Sequence, residues 1–557
     1  MIYREELSTP NDPYARQLEI FPRLSPEMMA RVIAYGSEES IAKGCWLFER
    51  GERNVDFFVV LEGELEILSV NRKGQSIVVT TVPERQFTGE LDLLNDRVSL
   101  VNSRAGVDSK VLRITRANFR RLISCEPDIG EVVIKAYILR RAGLIEHGQG
   151  GVVLIGPTHA GDTLRIKRFL VQNGYPHHLI DTEQHDQEAD RAPWLDLAKG
   201  MLPAIILPDR RVMHAPSNAA LADALGIAES LDPASVYDVA VVGAGAAGLA
   251  AAVYAASEGL STIVIEGSAP GGQAGTSSKI ENYLGFPTGI SGQVLANRAQ
   301  LQAQKFGARL AVSRAVTSLD CTQKPYCLHL QDGQIVTAKA IVIATGARYR
   351  KLSLQNHTRF ENQGIYYAAT AMEAPLCADQ EVAVVGGGNS AGQAAVFLAR
   401  TVSHLHLLVR GASLAATMSD YLIQRITSSP KITVHLQTEI TSLDGDPYLR
   451  SVQWTDRTTG RSETHAIASV FVMTGAEPNT EWLGGCLELD KKGFIRTGME
   501  TSEGREQSAY GTALPGVFAV GDVRSGSVKR VASAVGEGSV VVAAIHQYIA
   551  ALTEDWR

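Results

Sequence analysis

Tyr237-Asp238-Val239-Ala240-Val241-Val242-Gly243-Ala244-Gly245-Ala246-Ala247-Gly248 is the stretch that decides the fold. A run with the composition of a buried strand enters a G-x-G-x-x-G turn, an Ala-rich helix follows, and Thr262-Ile263-Val264-Ile265 ends at Glu266. Gly243, Gly245 and Gly248 allow the tight turn and the close approach of a pyrophosphate to a helix N-terminus. Glu266 stands where an acid bonds ribose hydroxyls. Strand, turn, helix, strand and acid in this order predict a Rossmann-like dinucleotide-binding unit.

The unit recurs. Glu381-Val382-Ala383-Val384-Val385 leads into Gly386-Gly387-Gly388-Asn389-Ser390-Ala391, a helix to Ala399, and Leu405-His406-Leu407-Leu408-Val409-Arg410. Here the second strand ends in Arg410. A guanidinium attracts a ribose 2′-phosphate that an acid would repel, so the second unit leans to NADPH, with NADH as the alternative. Two such units in one chain imply FAD plus NAD(P)H, with hydride passing between the rings.

Further motifs between and after these units assign the two roles. Gly271-Gly272-Gln273, Ile280-Glu281-Asn282-Tyr283, Gly285-Phe286-Pro287, Ala344-Thr345-Gly346, Gly521-Asp522 and Lys529-Arg530-Val531 occur in order, with Gly536-Glu537-Gly538 expected to start the last helix. Over residues 236–557 the chain resembles the low-molecular-weight thioredoxin reductases. The resemblance implies FAD contacts at Gly243, Gly245, Gly248, Glu266, Gly272, Gln273, Asn282, Thr345, Gly346, Gly521, Asp522, Lys529, Arg530 and Val531. It implies NAD(P)H contacts at Gly386, Gly388, Asn389, Ser390, Ala391 and Arg410.

The chain departs from that family where electrons would leave. The family's Tyr-Cys-Ala-Thr-Cys is here Tyr367-Ala368-Ala369-Thr370-Ala371, so Ala368 and Ala371 stand at the cysteine positions. Met372 replaces the usual acid, and Glu373 is the next carboxylate. The family's His-Arg-Arg is reduced to Arg410, and Arg530 stands where Gln is usual. Cys377 is the nearest thiol, expected at the start of the strand leading to Gly386. The six cysteines (Cys45, Cys125, Cys321, Cys327, Cys377 and Cys486) show no two-residue spacing, hence no redox pair and no metal framework; Cys321 and Cys327 flank a hairpin turn at Lys324-Pro325-Tyr326.

Upstream, residues 41–115 alternate apolar and polar positions in short strands, which predicts an antiparallel β-roll. Leu47 to Ile67 and Phe87-Thr88-Gly89-Glu90-Leu91 resemble the cyclic-nucleotide-binding domain and its phosphate-binding cassette. That resemblance implies Gly89, Glu90, Leu91 and an arginine as ligands of a cyclic nucleotide. Arg97 is the first candidate and Arg104 the second, although Thr88 is an insertion and the Glu-to-Arg spacing is short. Residues 116–147 read as one helix with an apolar stripe at Val132, Val133, Ala136, Leu139 and Ala142, expected to pair subunits. No helix-turn-helix follows.

Residues 151–207 read as β-α-β-α-β, a parallel core extended by a hairpin at Asp209-Arg210. They resemble a thioredoxin or glutaredoxin fold, and Leu202-Pro203-Ala204 falls where that family has its cis-proline. The corresponding loop, Pro157-Thr158-His159-Ala160-Gly161-Asp162, contains no cysteine, so thiolate chemistry is excluded there.

At 557 residues the chain should hold three or four domains. They are expected at 1–149 (nucleotide-binding type), 150–230 (thioredoxin-like), 236–349 with 475–557 (FAD) and 350–474 (NAD(P)H). A balance of 53 basic against 60 acidic residues, net −7, argues against nucleic acid as a partner. No uncharged apolar run is long enough to span a bilayer, and the expected setting is a cytoplasmic homodimer. The whole arrangement resembles a bacterial group of cyclic-nucleotide-binding thioredoxin reductases. Three functions are compatible with it. The first passes hydride from NADPH to FAD and on to a non-disulfide acceptor (a redox protein, or a small molecule such as a quinone or oxygen), under cyclic-nucleotide control. The second is a thioredoxin-disulfide reductase using partner-supplied thiols, and the third a non-catalytic redox and nucleotide sensor.

Overall fold

The computed structural model describes residues 13–554 except 71–75, 90, 95–96, 148–150, 184–200, 229–230, 355, 362, 371–372, 447 and 499–507. The expected multidomain order is present: a β-roll, a small α/β domain, and two parallel-sheet domains.

Seven strands between Ser37 and Ile114 form the roll from two antiparallel sheets. Its aromatic core is Phe57, Phe87, Phe119 and Tyr137, with Phe57 and Phe119 centroids 4.8 Å apart. The single helix expected over 116–147 is two, Arg116–Cys125 and Pro127–Glu146. Pro127 lacks an N–H and drives Glu126 out of helical geometry (φ −118°, ψ 80°), which ends the first helix there. Val133 and Ala136 of the expected pairing stripe are fully buried in the roll's own core. Those two positions therefore face the helix's own domain, while Val132, Leu139 and Ala142 are only partly buried.

In the second domain the strands run Val212–His214, Ala204–Ile206, Val152–Gly156, His177–Asp181 across the sheet. Only the last two are parallel; Ala204–Ile206 pairs antiparallel with Val152–Gly156, which corrects the expected parallel core. The reversal follows the Leu202–Pro203 bond, which is cis, as the thioredoxin resemblance implied. The second expected helix lies outside the described residues. The first, Gly161–Gln172, buries Leu164, Ile166, Phe169 and Leu170.

Strand Val236–Val242 lies between Thr262–Glu266 and Ile335–Ile343, all parallel, with Arg309–Val312 and Val517–Ala519 beyond. The second parallel sheet runs Ile432–Leu436, His404–Val409, Glu381–Val385, Val470–Val472, Ile365–Tyr366. Two short antiparallel strands, Ala347–Tyr349 and Ala476–Pro478, carry the chain between the two sheets. Strands buried on both faces explain the unbroken Val/Ile/Ala runs of the sequence.

The last helix is Val531–Glu554, so it begins five residues before the expected Gly536. A Cβ at Gly538 would sit 2.1 Å from the Ala247 carbonyl, so Gly538 lets this helix press against the Ala246–Ser257 helix. Residues Val531–Leu552 are long and apolar enough to cross a membrane by length and composition, while Val541, Val542 and Ile545 are buried with Ala247 and Ala251 in one core.

Two cysteines do pair. Cys321 and Cys486 form a disulfide across 165 residues, a long-range pair that the absence of two-residue spacing does not address. Local spacing cannot reveal it, because the fold brings the end of strand Val316–Asp320 beside the Glu481–Leu483 turn. Cys327 remains a free thiol.

Candidate functional site

The first glycine loop is built from backbone contacts that a side chain would block. Gly243 has φ +103°, and a Cβ there would lie 2.5 Å from the Ala344 carbonyl oxygen; at Gly248 it would lie 1.9 Å from that of Gly243. Gly245 caps the Ala246–Ser257 helix, whose free N–H groups favour an anion. Glu266 accepts the Ala244 N–H at 2.8 Å and the Ser268 N–H at 2.9 Å, and its burial pushes its pKa up. A Cβ on Gly272 (φ +54°) would lie 3.1 Å from Gly245 Cα, and Gln273 Nε2 donates to the Ala347 carbonyl at 2.6 Å. Thr345 exchanges two bonds with Asn479, each 2.8 Å, beside Gly346 at φ +62°.

The far end of this site is the Gly521–Val523 turn. Gly521 donates to Glu537 at 2.6 Å, and burial raises the Asp522 pKa. Lys529 Nζ donates to the Asp522 carbonyl at 3.0 Å, Arg530 is exposed, and Val531 opens the last helix. Asn282 is exposed in the bend after Ile280. Glycine cradle, buried acid and helix terminus fit an extended dinucleotide.

The second loop repeats the design. Gly386 (φ +147°) lies against the Met473 carbonyl, Gly388 caps the Asn389–Leu398 helix, and Asn389 accepts the Ser419 N–H at 2.7 Å. Ser390 is exposed, Ala391 is buried, and Arg410, just after strand His404–Val409, is exposed.

Between the two dinucleotide-binding domains lies a narrow cleft. Thr276, Ser277 and Ser278 of the first domain line one side, with Ala368, Ala369 and Ser390 of the second opposite. Tyr349 shares a hydrogen bond with Ser390, and Arg425 reaches across to Glu281 at 2.5 Å. Ala371 lies outside the described residues. Glu373, 2% exposed, accepts the Thr370 N–H at 3.0 Å and the Thr370 hydroxyl on one oxygen; on the other it accepts Arg168 Nη2 at 3.0 Å. Cys377 is in the Ala374–Cys377 turn, ahead of the strand in which it was expected. It is fully buried, and burial pushes its thiol up to about 11, which leaves it protonated and unreactive.

In the roll, Gly89 (φ +96°) and Arg97 line a small cavity with Phe48, Asp92 and Leu93. Glu90 lies outside the described residues, and Leu91 begins the Leu91–Leu94 turn. Arg97 Nη1 also donates to the Asn173 carbonyl at 2.9 Å, in the thioredoxin-like domain. Arg104, the second candidate, is engaged by Glu66 at 2.7 Å and does not line that cavity. His159 is exposed, and no cysteine stands in its loop.

A family model described as pyridine nucleotide-disulphide oxidoreductase matches residues 237–538, and one described as cyclic nucleotide-binding domain matches 38–125. A thioredoxin reductase of Treponema pallidum is 34% identical over 314 residues, covering 56% of this chain and 97% of that protein. The chain belongs to the thioredoxin reductase family. NADPH-dependent thioredoxin reductase 3 of Arabidopsis thaliana is 33% identical, and the match spans 56% of this reductase but only 58% of that longer protein. The crystal structure of T. acidophilum thioredoxin reductase superposes with a TM-score of 0.52 at 30% identity, over 57% of this chain and 99% of that one. FAD and NADPH are the family's cofactors.

Two residue pairs of this reductase escaped the sequence reading. Glu537, seen only as part of a glycine-flanked helix start, binds both Gly521 and Arg524, the latter at 2.6 Å. Glu373, noted only as the carboxylate next to Met372, fixes the Thr370 turn and meets an arginine from another domain. An acid flanked by two glycines was a usable signal for the first. The second pair is 205 residues apart and left none.

Proposed function

We propose that this reductase passes hydride from NADPH to FAD and then to a non-disulfide acceptor, with a cyclic nucleotide in the roll as gate. The observation that carries this reading is the cleft: the segment expected to line the flavin faces Ala368 and Ala369, where the family's first thiol would stand. Cys377, the nearest thiol in sequence, is buried and protonated. The Cys321–Cys486 disulfide lies beyond strand Val316–Asp320, three strands from Val236–Val242 and so roughly 14 Å across the sheet.

FAD, when bound, supplies the two-electron acceptor and donor that side chains lack. The chain's residues do the positioning. Amides opening the Ala246–Ser257 helix would face the pyrophosphate, and Glu266 would take ribose hydroxyls on lone pairs left by Ala244 and Ser268. Arg410 would pair with the 2′-phosphate. Asp522 and Lys529 would close the far end, and Tyr349 would hold Ser390 and the second loop over the cleft.

Anaerobic mixing with NADPH tests the reading. Flavin bleaching within turnover time, followed by reoxidation with a quinone or oxygen and not with thioredoxin disulfide, is the expected result. Thioredoxin reduction by the protein alone would overturn it in favour of the disulfide reductase, and absence of bleaching would leave only the sensor.

A further inference from the structure

The helix Gly161–Gln172 of the cysteine-free domain touches both ends of this molecule's chemistry. At its carboxyl end, the Asn173 carbonyl accepts Arg97 from the roll's cavity. A guanidinium is favoured there, because the last carbonyls of a helix are unsatisfied and carry the negative end of its dipole. Tyr175, two residues on, is bonded by Arg50 of the same roll. On the helix flank, Arg168 binds Glu373, whose other oxygen holds Thr370 at the cleft. One turn earlier Leu164 is buried in the second dinucleotide domain's core beside Ala369, Ala374 and Cys377. Five residues, about 8 Å of helix axis, separate the two grips.

We propose that this helix is a strut through which an anion in the roll cavity sets the position of the 367–370 turn, with Arg168 as its positioning residue. The proposal rests on the reading of the roll as a nucleotide gate. A phosphate binds a guanidinium more strongly than a neutral carbonyl does. Drawing Arg97 away leaves the Asn173 carbonyl, in a residue 5% exposed, without that donor. An unsatisfied buried carbonyl is costly, so the helix end must move to recover a partner. Arg168 and Leu164 ride on the same rigid element, and Glu373 transmits their displacement to Thr370. The small domain would then have kept a mechanical role while lacking thiols.

The experiment uses the full-length, FAD-loaded chain and cyclic AMP or cyclic GMP as probe. Nucleotide affinity is measured by calorimetry, flavin reduction by anaerobic stopped flow, and exchange of the 365–370 amides by mass spectrometry. In the native chain, nucleotide should change the reduction or reoxidation rate about fivefold or more, the lower range of allosteric coupling, and alter 365–370 exchange. Arg168→Met should keep nucleotide affinity but lose both responses, and Arg168→Lys should retain part of them. Binding with equal responses in native and Arg168→Met chains overturns the strut and leaves the gate standing. Binding with no response in the native chain overturns both. No binding of either nucleotide removes the gate and the strut together, while flavin reduction by NADPH still tests the reductase.

Discussion

The Glu537 carboxylate accepts the Gly521 N–H on one oxygen at 2.6 Å, and the Arg524 guanidinium spans both oxygens, Nη2 at 2.6 Å and Nε at 3.2 Å. Glu537 is 7% exposed, so the pair is largely withheld from water and fixes the turn that presents Asp522. Glu537→Ala would strip the backbone donor of its partner and leave Arg524 without its counter-charge. Removing one partner of a buried pair costs about 3–5 kcal/mol, and the part-exposed Arg524 places this case at the low end. Lower flavin content per chain and a lower melting temperature are expected, with Glu537→Gln milder. Native flavin content in the alanine variant would show that the turn holds itself.

Gly89 makes a second prediction. Its φ is +96°, and a Cβ would sit 2.3 Å from Leu93 Cδ1 and 2.8 Å from Tyr137 Oη. Left-handed geometry alone costs a non-glycine residue about 1–2 kcal/mol. Gly89→Ala should abolish calorimetric binding of cyclic nucleotide while leaving the flavin spectrum unchanged. Undiminished affinity would place any nucleotide elsewhere.

The parts legible in sequence were those written in local patterns. Gly243 to Glu266 and Gly386 to Arg410 declare strand, turn and helix within thirty residues, and the structure forms both. Pro127 shows how one residue overrides periodicity: the stripe at Val133 and Ala136 was correctly apolar, yet it turns into the roll. Long-range pairs left no pattern. Cys321 with Cys486 joins two distant segments of one domain, while Arg97 with Asn173 and Arg168 with Glu373 exist only because separate domains pack together.

Arg410 stands exposed at the end of strand His404–Val409, with no acid in the place that an NADH-binding unit would fill. Arg410→Ala should raise KM for NADPH on the order of tenfold, the 1.4 kcal/mol of one charge-assisted contact, with little change for NADH. Equal effects on both coenzymes would remove Arg410 from phosphate recognition.

Restoring the thiols probes the cleft directly. Ala368 lines it opposite Ser277, so Ala368→Cys combined with Ala371→Cys should create a pair that reduced flavin can reach. Thiol titration after anaerobic NADPH should then find two more thiols than in the native chain. Ala368→Cys alone should not gain two, since it offers no intramolecular disulfide. No gain in the double variant would mean that the turn is held away from the flavin.

His406 gives a pH dependence. Its Nδ1 lies 3.0 Å from His435 Nε2, its ring is 4.9 Å from that of His404 and 5.5 Å from that of His465, and Trp454 packs on it. Glu381 stands 3.5 Å from its Nε2, and Glu463 is beside His465. Burial, reinforced by the neighbouring imidazoles, lowers the His406 pKa from 6.5 to about 4 against the opposing pull of Glu381. The folded state therefore binds fewer protons than the unfolded chain between those values. The stability held by neutral His406 is complete above 6.5 and is lost as pH falls toward 4. Melting temperature should fall from pH 7 to about pH 5, above the range in which ordinary carboxylates titrate. His406→Gln should flatten that slope, because a neutral amide takes up no proton. An unchanged slope in the variant would assign the acid sensitivity to other groups.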